Sequence, residues 1–110
     1  MIISGNGVIA WAPVGGPTTT SISASGFAFD LSAMNFPAGK TSKLTFDNQD
    51  PGVDHNVAIY SDANHTQTLF EGDHVVGPGS TDYTIPALDP GTYYFQCDVH
   101  PGMNGSVTVS

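Results

Sequence analysis

Residues 93–105 read YYFQCDVHPGMNG, and the rest of the 110-residue chain is organised around this stretch. It contains Cys97, the only cysteine, with His100 three residues later and Met103 three residues after that. A thiolate, an imidazole and a thioether are the donors that soft or borderline transition metals prefer. One short loop therefore offers three ligands for such a metal.

A fourth donor has to come from elsewhere, and the candidate is His55 in the segment DHNVAIY, residues 54–60. A type 1 copper site combines two histidines and one cysteine in a trigonal plane with a weak, long axial methionine. The sequence thus predicts one copper ion held by His55, Cys97, His100 and Met103. Zinc on the two histidines and the cysteine is also chemically possible, but the methionine favours copper. Without its neighbours, Cys97 would be interpreted as a small buried hydrophobic residue.

The charge balance excludes several classes of function. The chain has two lysines, no arginine and ten acidic residues, for a formal net charge of −8. Binding to nucleic acid needs clustered basic residues, so that class is excluded, and an anionic membrane surface is disfavoured for the same reason. No apolar run has the length of a membrane span. An acidic protein steers towards basic partners or is suited to a salty medium, and the sequence leaves both readings open.

The pattern of apolar residues predicts an all-β domain. Apolar residues alternate with polar ones over short segments, and 13 glycines and eight prolines separate these segments. No segment shows the period of an amphipathic helix, which favours a β-sandwich or barrel. A change of phase at Gly26 predicts a β-bulge, and Leu69-Phe70 is expected to form a short helical turn. The predicted inward faces are Leu44 with Phe46; His55 with Val57 and Ile59; Tyr93 with Phe95 and Cys97; and Val107 with Val109.

The N-terminal part of the chain differs in composition from the rest. The first charged residue is Asp30, and residues 13–21 are rich in Pro, Gly and Thr. Asn6 between two glycines and two apolar runs is a hairpin signal, and a linker is the alternative. We therefore divide the chain into an uncharged segment, 1–20, and a metal-binding domain, 21–110.

The segment GTYYFQCDVHPGMNGSVTV, residues 91–109, resembles the C-terminal ligand loop of cupredoxins, the small blue copper proteins. Its Cys-x2-His-x2-Met spacing is similar to that of amicyanin, and HNVAIY resembles the N-terminal ligand strand of the family. The resemblance covers roughly residues 21–110. It implies a Greek-key β-sandwich of about seven or eight strands, with His55, Cys97, His100 and Met103 as the copper ligands.

The same resemblance implies two structural roles. Leu88-x2-Gly91-x-Tyr93 is similar to the tyrosine corner of these sandwiches. Asn56, directly after the first histidine, stands where the family has an asparagine that ties the two ligand loops together. Both features concern the framework that surrounds the predicted site.

The function implied by the resemblance is one-electron transfer between Cu(I) and Cu(II), with no substrate turnover. The loop histidine of the family lies near the surface in an apolar patch, so Pro101, Gly102 and the Pro51-Gly52 tip are expected to form the docking surface. The acidic residues nearby, among them Asp50, Asp54 and Asp98, are expected to orient a basic redox partner protein. The expected location is extracytoplasmic, in the periplasm or at the cell surface, with any signal or anchor absent from this sequence.

Two other functions stay open at the level of sequence. One is a copper carrier or store, in which His65 and His74 would bind metal as well. The other is a domain of a larger multicopper enzyme, such as a nitrite reductase or an oxidase, in which the N-terminal segment with Trp11 would form an inter-domain or oligomer contact. The oligomeric state is not predicted.

Overall fold

The computed structural model describes residues 18–110, and every regular element in that range is a β-strand. The prediction of an all-β sandwich is confirmed. The strand count exceeds the expected seven or eight, because the segments around Gly26 and at 55–60 are each divided into two strands and Leu69-Phe70 lies in an additional strand. The strands are β1 (Thr18–Ser25), β2 (Ala28–Phe29), β3 (Ala33–Phe36), β4 (Ser42–Asn48), β5 (Asp54–His55), β6 (Ala58–Tyr60), β7 (Thr68–Glu71), β8 (Val75–Val76), β9 (Gly79–Ile85), β10 (Gly91–Gln96) and β11 (Asn104–Val109).

These strands form two main sheets and a small ribbon. One sheet has the order β9-β4-β1-β2, and the other has the order β3-β11-β10-β6-β7. Strands β1 and β4 are parallel, as are β3 and β11, and the other neighbours are antiparallel. The ribbon pairs β5 with β8 and lies at the end of the sandwich that carries the predicted ligands.

The core lies between the two sheets and follows the alternation seen in the sequence. Along β4, buried and more exposed side chains alternate, so Leu44 and Phe46 point inward while Lys43 points out. Each large apolar side chain buried in this way contributes about 1.5–3 kcal/mol to folding. The inward set from the β9-β4-β1-β2 sheet is Ile22, Ala24, Leu44, Phe46, Tyr83 and Ile85, and that from the other sheet includes Met34, Phe36, Ile59, Phe95, Val107 and Val109.

The predicted bulge at Gly26 is wrong, because the chain reverses direction there. Ser25 pairs with Ala28, so Gly26 and Phe27 form a two-residue hairpin turn between β1 and β2. Both turn residues have positive φ, 62° for Gly26 and 60° for Phe27, as a type I′ hairpin turn requires. The change of phase in the apolar pattern therefore marks a turn rather than an extra residue in a strand.

Two further segments differ from expectation. The segment 55–60 is divided between β5 and β6, because the Asn56 side chain and the Val57 carbonyl bond to Gly72 outside any ladder. Leu69 and Phe70 lie in strand β7 instead of a helical turn, since Phe70 pairs with Ile59 on the edge of the second sheet.

The tyrosine corner is confirmed. The hydroxyl of Tyr93 donates to the backbone oxygen of Asp89 at 2.6 Å. The predicted hairpin around Asn6 lies outside the described residues. Over residues 18–110 there is no helix with the length and apolar character needed to cross a bilayer.

Candidate metal centre

Two distant stretches of the chain place the candidate ligands at one end of the sandwich. His55 closes the two-residue strand β5, and Cys97 directly follows β10. Both side chains are completely buried, and His100 is half-buried in the loop that follows Cys97. The expected alternation is absent here: all residues from His55 to Tyr60 are buried, and so are Phe95 and Gln96 before Cys97, so both ligands lie in fully buried stretches of the chain.

The donor atoms of these three residues converge. One nitrogen of His55, the Sγ atom of Cys97 and one nitrogen of His100 all lie within 4.8 Å of one another. Nδ1 of His55 is 3.7 Å from the Cys97 sulfur and 3.1 Å from Nδ1 of His100. Nitrogen and sulfur donors bound at about 2.0–2.3 Å to one ion in a plane lie roughly 3.5–4 Å apart. The spacing therefore fits a single small ion with only slight adjustment.

The loop that carries Cys97, His100 and Met103 is closed by its own backbone. The amide of Met103 donates to the His100 carbonyl at 2.9 Å, and the amide of Cys97 donates to the Met103 carbonyl at 3.0 Å. Met103 is only 4% exposed. The Asn104 side chain adds a bond to the Pro101 carbonyl at 3.0 Å. These hydrogen bonds join Cys97, His100 and Met103 within one closed loop.

The role expected for Asn56 is confirmed. Its side-chain oxygen accepts from the Asp98 amide at 2.8 Å, and its amide group donates to the Asp98 carboxylate at 3.2 Å. The hydroxyl of Tyr60 and the amide of Gln96 donate to the same carboxylate at 2.6 and 3.0 Å. Burial raises the pKa of Asp98, but these hydrogen bonds outweigh it and hold the pKa below its usual value. The two ligand stretches are therefore joined by an ionised, internally satisfied carboxylate.

The sequence did not identify the role of Asp50. Its side chain is buried, with Oδ2 at 2.8 Å from Nε2 of His55. Hydrogen bonds from the Phe27 amide and from His55 lower its pKa, so the carboxylate is ionised. The sequence placed Asp50 among the residues that meet a partner protein, whereas the structure turns its carboxylate inward. The signal available in the sequence was only an acidic loop next to a ligand.

Phe27 was also missed. It is 52% exposed, yet its ring lies edge-on against the imidazole of His100, with ring centroids 4.8 Å apart, and against that of His55 at 5.5 Å. Nothing in the local sequence around Phe27 indicates this contact, because the residue is more than 70 positions away from His100.

The other two histidines do not join this group. His65 stacks on Tyr60 with ring centroids 4.1 Å apart and contacts the Gln96 side chain through Nε2 at 2.9 Å. Nδ1 of His74 lies 2.7 Å from an Asp54 carboxylate oxygen. Within the described part of the chain, one group of three or more His, Cys, Asp or Glu side chains has converging ligand atoms, and it consists of His55, Cys97 and His100.

Comparison with known proteins connects this geometry to a family. The sequence model of a family described as a cupredoxin-like domain matches residues 9–109. Plastocyanin A/B of Petroselinum crispum is 32% identical over an alignment of 91 residues, and the alignment covers 77% of this chain and 90% of that plastocyanin. The similarity therefore extends over nearly the whole length of the plastocyanin.

Solved structures show the same similarity. The dithionite-reduced auracyanin of Roseiflexus castenholzii matches with a TM-score of 0.73 and 27% identity, covering 87% of this chain and 99% of the auracyanin. Auracyanin A of Chloroflexus aurantiacus, described as a blue copper protein, matches with a TM-score of 0.75 over 86% of this chain and 100% of its own. Because its sequence identity is only 24%, the match with auracyanin A shows similarity of fold alone.

Proposed function

This chain belongs to the cupredoxin-like family, and from that premise we propose that it is a mononuclear type 1 copper protein that carries single electrons between partner proteins. The observation that carries the proposal is the convergence of the His55, Cys97 and His100 donor atoms to within 4.8 Å. Copper supplies the one-electron couple between Cu(I) and Cu(II). The protein is an electron carrier and not an enzyme.

Nδ1 of His55, the thiolate of Cys97 and Nδ1 of His100 would bind the copper ion most strongly, and the thioether of Met103 would be its weakest donor. The ligands are held by groups that do not depend on metal. Backbone hydrogen bonds close the loop around Met103, and Asn56 ties that loop to the stretch with His55. Such a fixed frame supports electron transfer, since little ligand movement accompanies each change of oxidation state.

Electrons are proposed to leave through His100. Its half-buried ring is followed in the chain by the exposed Pro101 and Gly102, and the exposed Pro51-Gly52 tip follows Asp50, which contacts His55. The exposed large apolar side chains of the described residues lie at this same end: Phe27, Val76 and Val99. An exposed apolar face rimmed by polar residues is suited to transient protein contact. We therefore place the docking surface for redox partners here.

The charge distribution supports a basic partner. The only two cationic side chains, Lys40 and Lys43, lie at the end of the sandwich remote from His100, because Asn48 at the other end of β4 contacts the loop before β5. The exposed Asp73 follows Gly72, whose carbonyl accepts from Asn56 next to the ligand His55. A partner with a basic surface would thus meet the metal end first.

The copper assignment is tested by adding Cu(II) to the metal-free protein and recording visible and EPR spectra, beside the Cys97→Ser variant. We expect an intense thiolate-to-copper charge-transfer band that the variant lacks. A spectrum without that band, or a band that survives in the variant, would contradict the assignment.

The docking proposal is tested separately by electron-transfer rates with a basic partner. The rate should fall steeply with ionic strength, and Asp73→Asn should slow it more than Asp89→Asn, which removes an exposed charge near the lysine end. Rates that are insensitive to salt and equal in both variants would refute the docking proposal.

For an electron carrier of this kind we propose an extracytoplasmic location.

A further inference from the structure

A single carboxylate connects a predicted copper ligand to a remote hairpin turn. Oδ2 of Asp50 lies 2.8 Å from Nε2 of His55. The Asp50 carboxylate also accepts hydrogen bonds from the backbone amides of Gly26 at 2.6 Å and Phe27 at 3.0 Å. The backbone of Asp50 is itself fixed, because its amide donates to the Asn48 side chain at 2.9 Å. The Asp50 carboxylate is therefore positioned independently of its contacts with His55 and with the turn.

The contact with Asp50 determines which nitrogen of His55 carries the proton. Both oxygens of the Asp50 carboxylate already accept hydrogen bonds from backbone amides, so the carboxylate is assigned as the acceptor and Nε2 of His55 as the donor. Nδ1 is then the unprotonated nitrogen, and it faces the Cys97 sulfur and Nδ1 of His100. The tautomer inferred from these contacts directs the free lone pair of His55 into the ligand group.

We propose that Asp50 is a positioning residue that sets the tautomer and ring orientation of His55 and also anchors the turn that places Phe27 against His100. The inference rests on the proposed copper function. A carboxylate that accepts from the distal nitrogen of a metal-bound histidine fixes the ring and raises its basicity as a ligand. Stronger donation favours the more highly charged Cu(II), so Asp50 lowers the reduction potential.

The turn depends on the same carboxylate. Phe27 has a φ of 60°, a backbone conformation that residues other than glycine rarely adopt. Both amides of the turn, those of Gly26 and Phe27, donate to Asp50. These bonds hold the turn in the conformation that brings the Phe27 ring to 4.8 Å from His100. One residue thus organises both imidazoles of the site.

The test uses Asp50→Asn, Asp50→Glu and, as a matched control, Asp73→Asn, which removes an exposed acid at the same end of the molecule. The asparagine keeps an oxygen for the Gly26 amide, which bonds to Oδ1. Its NH2 group opposes both Nε2–H of His55 and the Phe27 amide, because these two share Oδ2. We expect Cu(II) affinity to fall about 10- to 100-fold in Asp50→Asn, and its reduction potential to rise above that of Asp73→Asn. Glutamate, which restores the charge at a shifted position, should recover part of both properties. Equal affinities and potentials in Asp50→Asn and Asp73→Asn would overturn the proposal.

A second measurement needs neither copper nor a folded variant. Long-range ¹H–¹⁵N NMR of the wild-type metal-free protein reports the tautomer of His55. We expect the proton on Nε2, and a proton on Nδ1 would overturn the proposal even if Asp50→Asn fails to fold. If the wild-type protein gives no charge-transfer band with Cu(II), the copper function fails, while the tautomer still decides the role of Asp50.

Discussion

Replacing Gly105 with alanine should destabilise the protein, whereas the same change at Gly102, three residues earlier, should not. A Cβ atom built on Gly105 would lie 2.3 Å from the backbone oxygen of Ser32 and 2.6 Å from the ring of Phe95. A Cβ on Gly102 would meet nothing within 4 Å. The pair therefore compares one chemical change in two environments of the same ligand stretch.

The cost at Gly105 follows from what would have to move. The Ser32 oxygen must retreat by about 0.7 Å to reach the 3.0 Å that Cβ contacts need, and it already accepts from the Ser106 amide at 3.0 Å. The Phe95 ring is completely buried and cannot swing out to solvent. Overpacking of this kind costs about 1–3 kcal/mol, while alanine at an unstrained, open glycine is neutral or stabilising by up to about 1 kcal/mol.

Thermal and urea denaturation of the metal-free proteins, followed by far-UV circular dichroism, measure this difference. Since about 1 kcal/mol shifts the melting temperature of a domain of this size by roughly 4–8 °C, Gly105→Ala should melt at least about 4 °C below Gly102→Ala. Melting temperatures within a degree of each other would show that β3 and β11 can separate freely, and the close approach deduced at Gly105 would be wrong.

Three further predictions concern the framework and the metal. Tyr93→Phe removes the hydroxyl that donates to the Asp89 carbonyl, and urea denaturation should show a loss of about 1 kcal/mol; an unchanged midpoint would mean that this bond contributes nothing. Hydrogen bonds from Thr45 and then Lys43 lower the pKa of Asp82, so its contribution to stability is present above its unfolded pKa near 3.8 and is lost as pH falls through the folded pKa. Stability should therefore decline more steeply below about pH 4 in the wild type and in the control Asp89→Asn than in Asp82→Asn, and parallel curves would refute the linkage. Cu(II) at 100 times its dissociation constant for the wild type should raise the free energy of unfolding of the wild type by about 2.7 kcal/mol. The same Cu(II) concentration should stabilise Cys97→Ser much less, and equal stabilisation of the two proteins would contradict Cys97 as a ligand.

The donor set of the site could be predicted from the sequence because most of it is local. Cys97, His100 and Met103 lie within seven residues, and the chemistry of their side chains restricts the metal before any fold is known. His55 could be added because its strand shows apolar alternation in phase with it. The strand interiors were predictable for the same reason, as the agreement at Leu44 illustrates.

The surroundings of the site could not be predicted, because they depend on contacts between distant segments. Asp50 meets the Gly26 and Phe27 amides across more than 20 residues, and its position in an acidic loop is equally typical of a solvated residue. The apolar pattern at Gly26 predicts a bulge where the chain makes a turn, because a bulge and a tight turn both change the phase of the pattern. A glycine followed by an aromatic residue is also not the usual sequence of a type I′ turn.

These distant contacts predict that the protein orders the site before metal binds. A buried imidazole needs partners for both of its nitrogens, and His55 has Asp50 on one side and the His100 nitrogen on the other. The Asp98 carboxylate is likewise satisfied by Tyr60, Gln96 and Asn56 rather than by an ion. Because the protein itself satisfies these polar groups, copper is not required to order them. A frame ordered in this way resists the ligand movements that would otherwise accompany a change in the charge of the metal, which is the property that a one-electron carrier needs.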